Sequence, residues 1–268
     1  MNIGGRARAA LRTALASIGP DVAGRPLGAA GFRLTRSFPH DATAFTQGLA
    51  WADGELYEST GLHGASTLRR VALESGRVLR RTALPARSFG EGLAVVADRI
   101  VQLTWREGTG IVYDRRTLSP MTTFRYRGQG WGLCFDGARL LMSDGTGRIR
   151  FLDPTTYAEC GALDVCCDGR PVERLNDLTV ADDEIIANVH GLDRLARVRA
   201  DGTVVGWIDV APLRRTWGLG GHGQVANGVT WDAARGRLLV TGKMWPRLFE
   251  IAPPERLSRS ADGRVTVA

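Results

Sequence analysis

Apolar residues in this chain fall on alternate positions of short runs, and pairs such as Asp53-Gly54 and Ser75-Gly76 separate the runs. Period-two alternation with many β-branched residues predicts strands, and Gly in the intervening pairs suits tight turns because it accepts positive φ without strain. The first unit reads QGLAW, ELYEST, STLRRVAL and RVLRRTAL. The pattern returns as EGLAVVA, RIVQLTW, GIVYD and MTTFRY, then as WGLCF, RLLMSDG, RIRFLD and CGALDV, then as DLTVA, EIIANVH, RLARVRA and VVGWIDV. A fifth unit, NGVTW, RLLVTGK and RLFEIA, stops one strand short before Pro253-Pro254.

Each unit opens on a matching dipeptide: Gly48-Leu49, Gly92-Leu93, Gly132-Leu133, Asp177-Leu178 and Gly228-Val229, at spacings of 44, 40, 45 and 51 residues. Periods of this length mark stacked supersecondary units such as propeller blades. The missing strand of the fifth unit has a candidate at the other end, FRLTRSF from Phe32 to Phe38. Paired outside Leu248 to Ile251, it closes the ring and removes two open sheet edges. The expectation is an all-β, five-bladed β-propeller over residues 32–254, its last blade closed by an N-terminal strand. Residues 1–31 are expected to form an extension with a short helix around Ala9 to Ile18, and residues 255–268 a loose tail.

Composition narrows the function. With 268 residues and 44% hydrophobic content the chain can bury a sizeable core. It has no apolar run near the roughly 20 residues that cross a bilayer, so no membrane partner is expected. The net charge of +7 is almost wholly arginine, Lys243 being the sole lysine, and the arginines come as scattered pairs rather than one stripe. Such pairs suit solvated strand edges better than a nucleic-acid surface. Cys134, Cys160, Cys166 and Cys167 lack zinc-knuckle spacing; buried thiols and one disulfide both remain open. Arg6 and Arg8 look like the charged start of a leader, but Arg12 interrupts its apolar stretch, so both a cytoplasmic and an exported location remain open.

The residue before each dipeptide is Gln47, Glu91, Trp131, Asn176 or Asn227. First and second strands of a blade run antiparallel, which puts these beside the ends of the second strands, read as Thr60, Trp105, Asp144, Asn188 and Lys243. Singly, each has a plain structural reading: Asn satisfies loop amides, Trp fills cores, and Glu pairs with Arg. Together around one mouth they make a candidate site.

The segments FPHDATAFTQGL, FGEGLAVVADRIVQLTWREGTGIVYD, GWGLCFDGARLLMSDGT, RLNDL, ANGVTWD and TGKMWPRLFEI, with others between, resemble the plant-type and bacterial glutaminyl-peptide cyclotransferases from Phe38 to Ile251 in matching order. The resemblance implies a propeller that converts N-terminal glutamine of peptides and proteins to pyroglutamate, releases ammonia and needs no cofactor, in particular no catalytic zinc. A monomer is expected. Glu91 matches the family's proposed general acid/base, in a mouth lined by Trp105, Trp131 and Trp245. Gln47, Asn176, Asn188, Asn227 and Lys243 are assigned to substrate binding and oxyanion stabilisation. Four positions depart from the family: Gln129 and Asp177 stand where Glu is usual, His190 where Trp is usual, and His63 where Tyr is usual. Two rival readings are a calcium-dependent lactonase, with Glu91, Asn176 and Asn227 as oxygen ligands, and a non-catalytic peptide-binding propeller.

Overall fold

The computed structural model describes residues 32–219, 221 and 223–252. The helix expected around Ala9 to Ile18 and the tail at 255–268 therefore lie outside the described residues. Blade 1 contains β2 (Thr46–Ala52), β3 (Glu55–Thr60), β4 (Thr67–Ala72) and β5 (Arg77–Ala83), paired in that order. Blade 2 contains β6 (Gly90–Val96), β7 (Arg99–Thr104), β8 (Thr109–Asp114) and β9 (Pro120–Arg125). Blade 3 contains β10 (Leu133–Phe135), β11 (Leu140–Ser143), β12 (Arg148–Leu152) and β13 (Glu159–Asp164). Blade 4 contains β16 (Leu175–Ala181), β17 (Glu184–Val189), β18 (Arg194–Val198) and β19 (Val204–Asp209). Blade 5 is β20 (Ala226–Asp232), β21 (Arg237–Gly242) and β22 (Arg247–Ala252), completed by β1 (Arg33–Pro39).

All pairings within the blades are antiparallel, and Phe38 of β1 lies opposite Leu248 of β22. The five-bladed propeller and its closure by the N-terminal strand are as the repeat pattern predicts. Closure is reinforced by polar bonds. Thr35 Oγ1 donates to Glu250 Oε1 at 2.6 Å, and Arg237 bonds both Glu250 and Asp232. Directly after β1, His40 Nδ1 meets the carbonyl of Trp245 at 2.6 Å and its Nε2 meets Glu58 Oε1 at 2.9 Å, tying blade 5 to blade 1.

Apolar clusters fill the spaces between successive blades. Leu93, Ile100 and Tyr113 pack against Tyr57 and Leu68 between blades 2 and 1, and Phe38, Leu239 and Leu248 pack against Leu49 and Leu56 where the ring closes. Outer strands β5, β9 and β13 are largely exposed, which is where Arg80-Arg81 sit; Arg69, by contrast, is buried against Asp41.

Two elements escaped the sequence reading. A small hairpin, β14 (Cys166–Cys167) with β15 (Arg170–Pro171), lies between blades 3 and 4, and a six-residue helix α1 (Ala211–Thr216) lies between blades 4 and 5. They account for the two longest repeat spacings. All four cysteines are free thiols.

Candidate active site

Four of the five opening dipeptides stand at β-bulges. Strand register shifts between Thr46 and Gly48, Gly90 and Leu93, Leu175 and Leu178, and Ala226 and Val229, which is where Gln47, Glu91, Asn176 and Asn227 stand. A bulge bends its strand and re-aims a side chain, a device common beside active sites. The glycines serve close approach: a Cβ on Gly92 would collide with the backbone of Gly132 and Leu133, and one on Gly132 with the carbonyl of Asn176. Blade 4 has Asp177 in that place instead. Its Oδ2 accepts the backbone N–H of Leu49 at 3.2 Å and of Val229 at 2.8 Å, binding blades 1 and 5 to blade 4 at the axis.

At this mouth a cavity of about 220 Å³ is lined by Phe45, Gln47, Phe89, Glu91, Trp105, Trp131, Asn176, His190 and Lys243. Glu91 is 4% exposed. Gln47 Nε2 donates to Glu91 Oε1 at 3.0 Å, and Gln47 Oε1 accepts from Asn227 Nδ2 at 3.1 Å, so three blades supply one line of hydrogen bonds ending on the carboxyl. Loss of hydration on burial pushes the Glu91 carboxyl well above the ordinary carboxylate range; Lys243 opposes this, and Asp177 and Glu107 add to it. Burial depresses the Lys243 ammonium, which Glu91 partly restores, and Nζ lies 4.7 Å from the centroid of the Phe45 ring. Asp177 is likewise raised by burial, against the N–H groups it accepts.

The two indoles are held by one atom. Gln129 Oε1 accepts from Trp105 Nε1 at 2.7 Å and from Trp131 Nε1 at 3.0 Å. His190 packs edge-on against Trp131, ring centroids 5.6 Å apart, and its Nδ1 is buried with no hydrogen-bond partner among the described residues. Asn176 Oδ1 is also buried and, among the described residues, unpartnered.

Six of the nine residues singled out from sequence thus line the cavity: Gln47, Glu91, Trp105, Trp131, Asn176 and Lys243. Three do not. Asn227 lies beneath it, donating to Gln47 and to the carbonyl of Thr46. Asn188 is turned toward the next blade, where its Oδ1 accepts the N–H of Gly228 at 3.2 Å. Trp245 is 0% exposed in the core between blades 4 and 5, edge-on to Phe249, its indole folded over Gly242 where a Cβ would collide with the ring. Asp144 instead closes a local turn with Thr146, and Thr60 bonds Thr67.

The positions that reach the mouth follow directly after the second strands: Trp105 after β7, His190 after β17 and Lys243 after β21. Taking Asn188 rather than His190 misplaced the mouth position of blade 4 by two residues. Phe45 and Phe89 were missed as well, although each stands two residues before its blade's Gln47 or Glu91; Gln129, two before Trp131, stood out only as a departure from the family. Among the described residues no group of three or more His, Cys, Asp or Glu side chains is gathered as a metal site requires.

Residues 8–252 match the family model described as glutamine cyclotransferase. A glutaminyl-peptide cyclotransferase from Arabidopsis thaliana is 40% identical over 234 residues, covering 85% of this chain and 73% of that relative. The crystal structure of Myxococcus xanthus glutaminyl cyclase superimposes with a TM-score of 0.77 at 38% identity, covering 82% of this chain and 95% of that one. With that breadth of match in sequence and fold, the chain belongs to the glutamine cyclotransferase family.

Proposed function

We propose that this cavity is where the chain cyclises N-terminal glutamine of peptides to pyroglutamate with release of ammonia, and that Glu91 is its proton-transfer carboxyl. The observation that carries the residue assignment is one buried carboxyl and one buried ammonium, Glu91 and Lys243, facing a single cavity walled by aromatic rings. The space suits one terminal residue and its amine. Trp105, Trp131, Phe45 and Phe89 enclose the aliphatic part of a glutamine side chain and exclude water.

The chemistry follows from the groups present. The α-amine attacks the side-chain amide carbon of its own residue, closing a five-membered ring, so the main task is to select the reactive conformer and move protons. The attacking amine must be uncharged; its ordinary pKa is about 8. Lys243 in a dry pocket disfavours a second cation and so selects the free amine. The same ammonium stabilises the carbonyl oxygen as it becomes an oxyanion. Asn176 Oδ1, without a partner among the described residues, is assigned to accept an N–H of the substrate. A raised pKa favours the protonated carboxyl, and Glu91 is assigned to give that proton to the departing amide nitrogen.

Family membership favours this reading over a lactonase or a non-catalytic binder. The test is to incubate purified protein with a Gln-initiated peptide and an Asn-initiated control in the presence of EDTA, following ammonia and product mass. Ammonia and a product lighter by one ammonia are expected from the Gln peptide alone. Glu91→Gln should lower turnover at least ~100-fold, the usual scale of proton-transfer help. Normal turnover in that variant removes Glu91 from its role, and loss of activity to EDTA redirects the mechanism to a metal.

A further inference from the structure

His190 lines the same 220 Å³ space as Glu91, packs edge-on with Trp131, and carries a buried ring nitrogen with no partner among the described residues. A buried, unpartnered polar atom in a native fold calls for an explanation, and a substrate donor or acceptor is one. We propose that His190 is a second catalytic residue: its neutral imidazole takes the proton shed by the α-amine as the ring closes, while Glu91 supplies the proton that leaves with ammonia. The assignment rests on the cyclisation reading above and divides its proton transfers between two groups.

The electrostatics of the cavity support the division. The charged groups acting on His190 are Lys243 after β21 and Arg174 before β16, and Glu91 on β6 lines the same cavity. Burial depresses the imidazole below its ordinary value of 6.5, and Lys243 and Arg174 reinforce this. Glu91 is displaced the opposite way. Two groups in one site whose environments drive them apart, the acid toward its protonated form and the base toward its neutral form, suit acid–base chemistry near neutral pH.

The steps balance. The free amine forms the new C–N bond while the carbonyl electron pair moves to oxygen, and the nitrogen, now positively charged, passes one proton to His190. The carbonyl re-forms, the bond to the amide nitrogen breaks, and that nitrogen takes the Glu91 proton to leave as ammonia. Lactam and ammonia are the products, and one proton passed from the imidazolium to the Glu91 carboxylate restores the enzyme.

The test is the pH dependence of kcat, which reports groups in the bound complex, for the unmodified protein, His190→Gln, His190→Ala with added imidazole, and Glu91→Gln. The unmodified protein should show an acid limb below 6.5 that His190→Gln removes, together with a fall in kcat of about 100-fold and little change in KM. Imidazole should restore His190→Ala by about tenfold or more, a response that a purely structural side chain does not give. An acid limb that persists in His190→Gln, a loss confined to KM, or no imidazole rescue overturns the assignment. If Glu91→Gln is inactive while His190→Gln keeps its limb and turnover, Glu91 stands and His190 falls. Rescue in His190→Ala beside near-normal Glu91→Gln keeps His190 and removes Glu91 instead.

Discussion

Gln129 Oε1 is the shared acceptor of two indole N–H groups, and through them it sets two walls of the cavity. Each such bond contributes about 1 kcal/mol net. Gln129→Ala releases both rings, so KM for a Gln-initiated peptide should rise about 5- to 30-fold with kcat less affected, whereas Gln129→Glu keeps an acceptor oxygen and should hold KM closer to normal. Steady-state kinetics on the two variants decide it; an unchanged KM in Gln129→Ala denies the indoles their positioning by this residue. The same neighbourhood shows what a sequence reveals at this scale. Gln47, Glu91 and Asn176 were legible because each repeats at one place in its blade, and the repeat is a bulge. Trp245 was expected to wall the mouth with Trp105 and Trp131, yet Gly242 lets its indole fold back into the core. Gln129 registered only as a departure from the family, since nothing in one sequence tells which N–H a side-chain amide will accept.

Among the elements, β1 carries a heavy burden, because its pairing with β22 supplies the fourth strand of blade 5. His40, directly after it, is buried with Glu58, and Thr46 Oγ1 adds a bond to the same carboxylate at 2.8 Å. Burial alone would depress His40, but the Glu58 charge and hydrogen bond override it and its pKa is raised. Burial would raise Glu58, but His40 overrides that too, with help from Arg69, and its pKa is lowered. A raised histidine adds stability that is complete below 6.5 and lost as pH climbs through its folded value; a lowered glutamate adds stability that is complete above 4.5 and lost as pH falls through its folded value. The pair is thus most stabilising between 4.5 and 6.5. His40→Ala should cost about 3 kcal/mol in that window, on the scale of breaking a buried pair, and progressively less at alkaline pH. Thermal melts of both proteins across pH check this, and a gap that widens toward alkaline pH contradicts it. Strand alternation made the closing strand readable in the sequence, as it did all five blades. Helix α1 was not readable: six residues with only Leu213 buried carry no helical period. Nor were β14 and β15, two residues each, long enough to show alternation.

At the scale of the whole ring, the question is what fixes the blades around an axis where backbone approaches backbone. Four blades use glycine there and admit their neighbours; the fourth in sequence uses Asp177, whose carboxylate occupies the space and accepts N–H groups from blades 1 and 5. Both donors lie on innermost strands, β2 and β20, each paired on one side only, so one residue satisfies amides that face the axis outside the ladders. Asp177→Ala leaves two buried N–H groups without an acceptor, at about 1–3 kcal/mol each. For a domain of this size each kcal/mol lowers Tm by about 2–4 °C, so a fall of roughly 5–20 °C is expected. Asp177→Asn keeps an oxygen in the same place and should lose less than half as much. Because Gln47 and Asn227 stand on the strands that Asp177 holds, the alanine variant should also lose turnover while still folded, and the asparagine variant should not. Calorimetry and the ammonia assay on the same two preparations decide the matter. If Asp177→Ala melts within about 2 °C of the unmodified protein, less than one kcal/mol, the axis is held by packing between blades and the carboxylate is incidental to it.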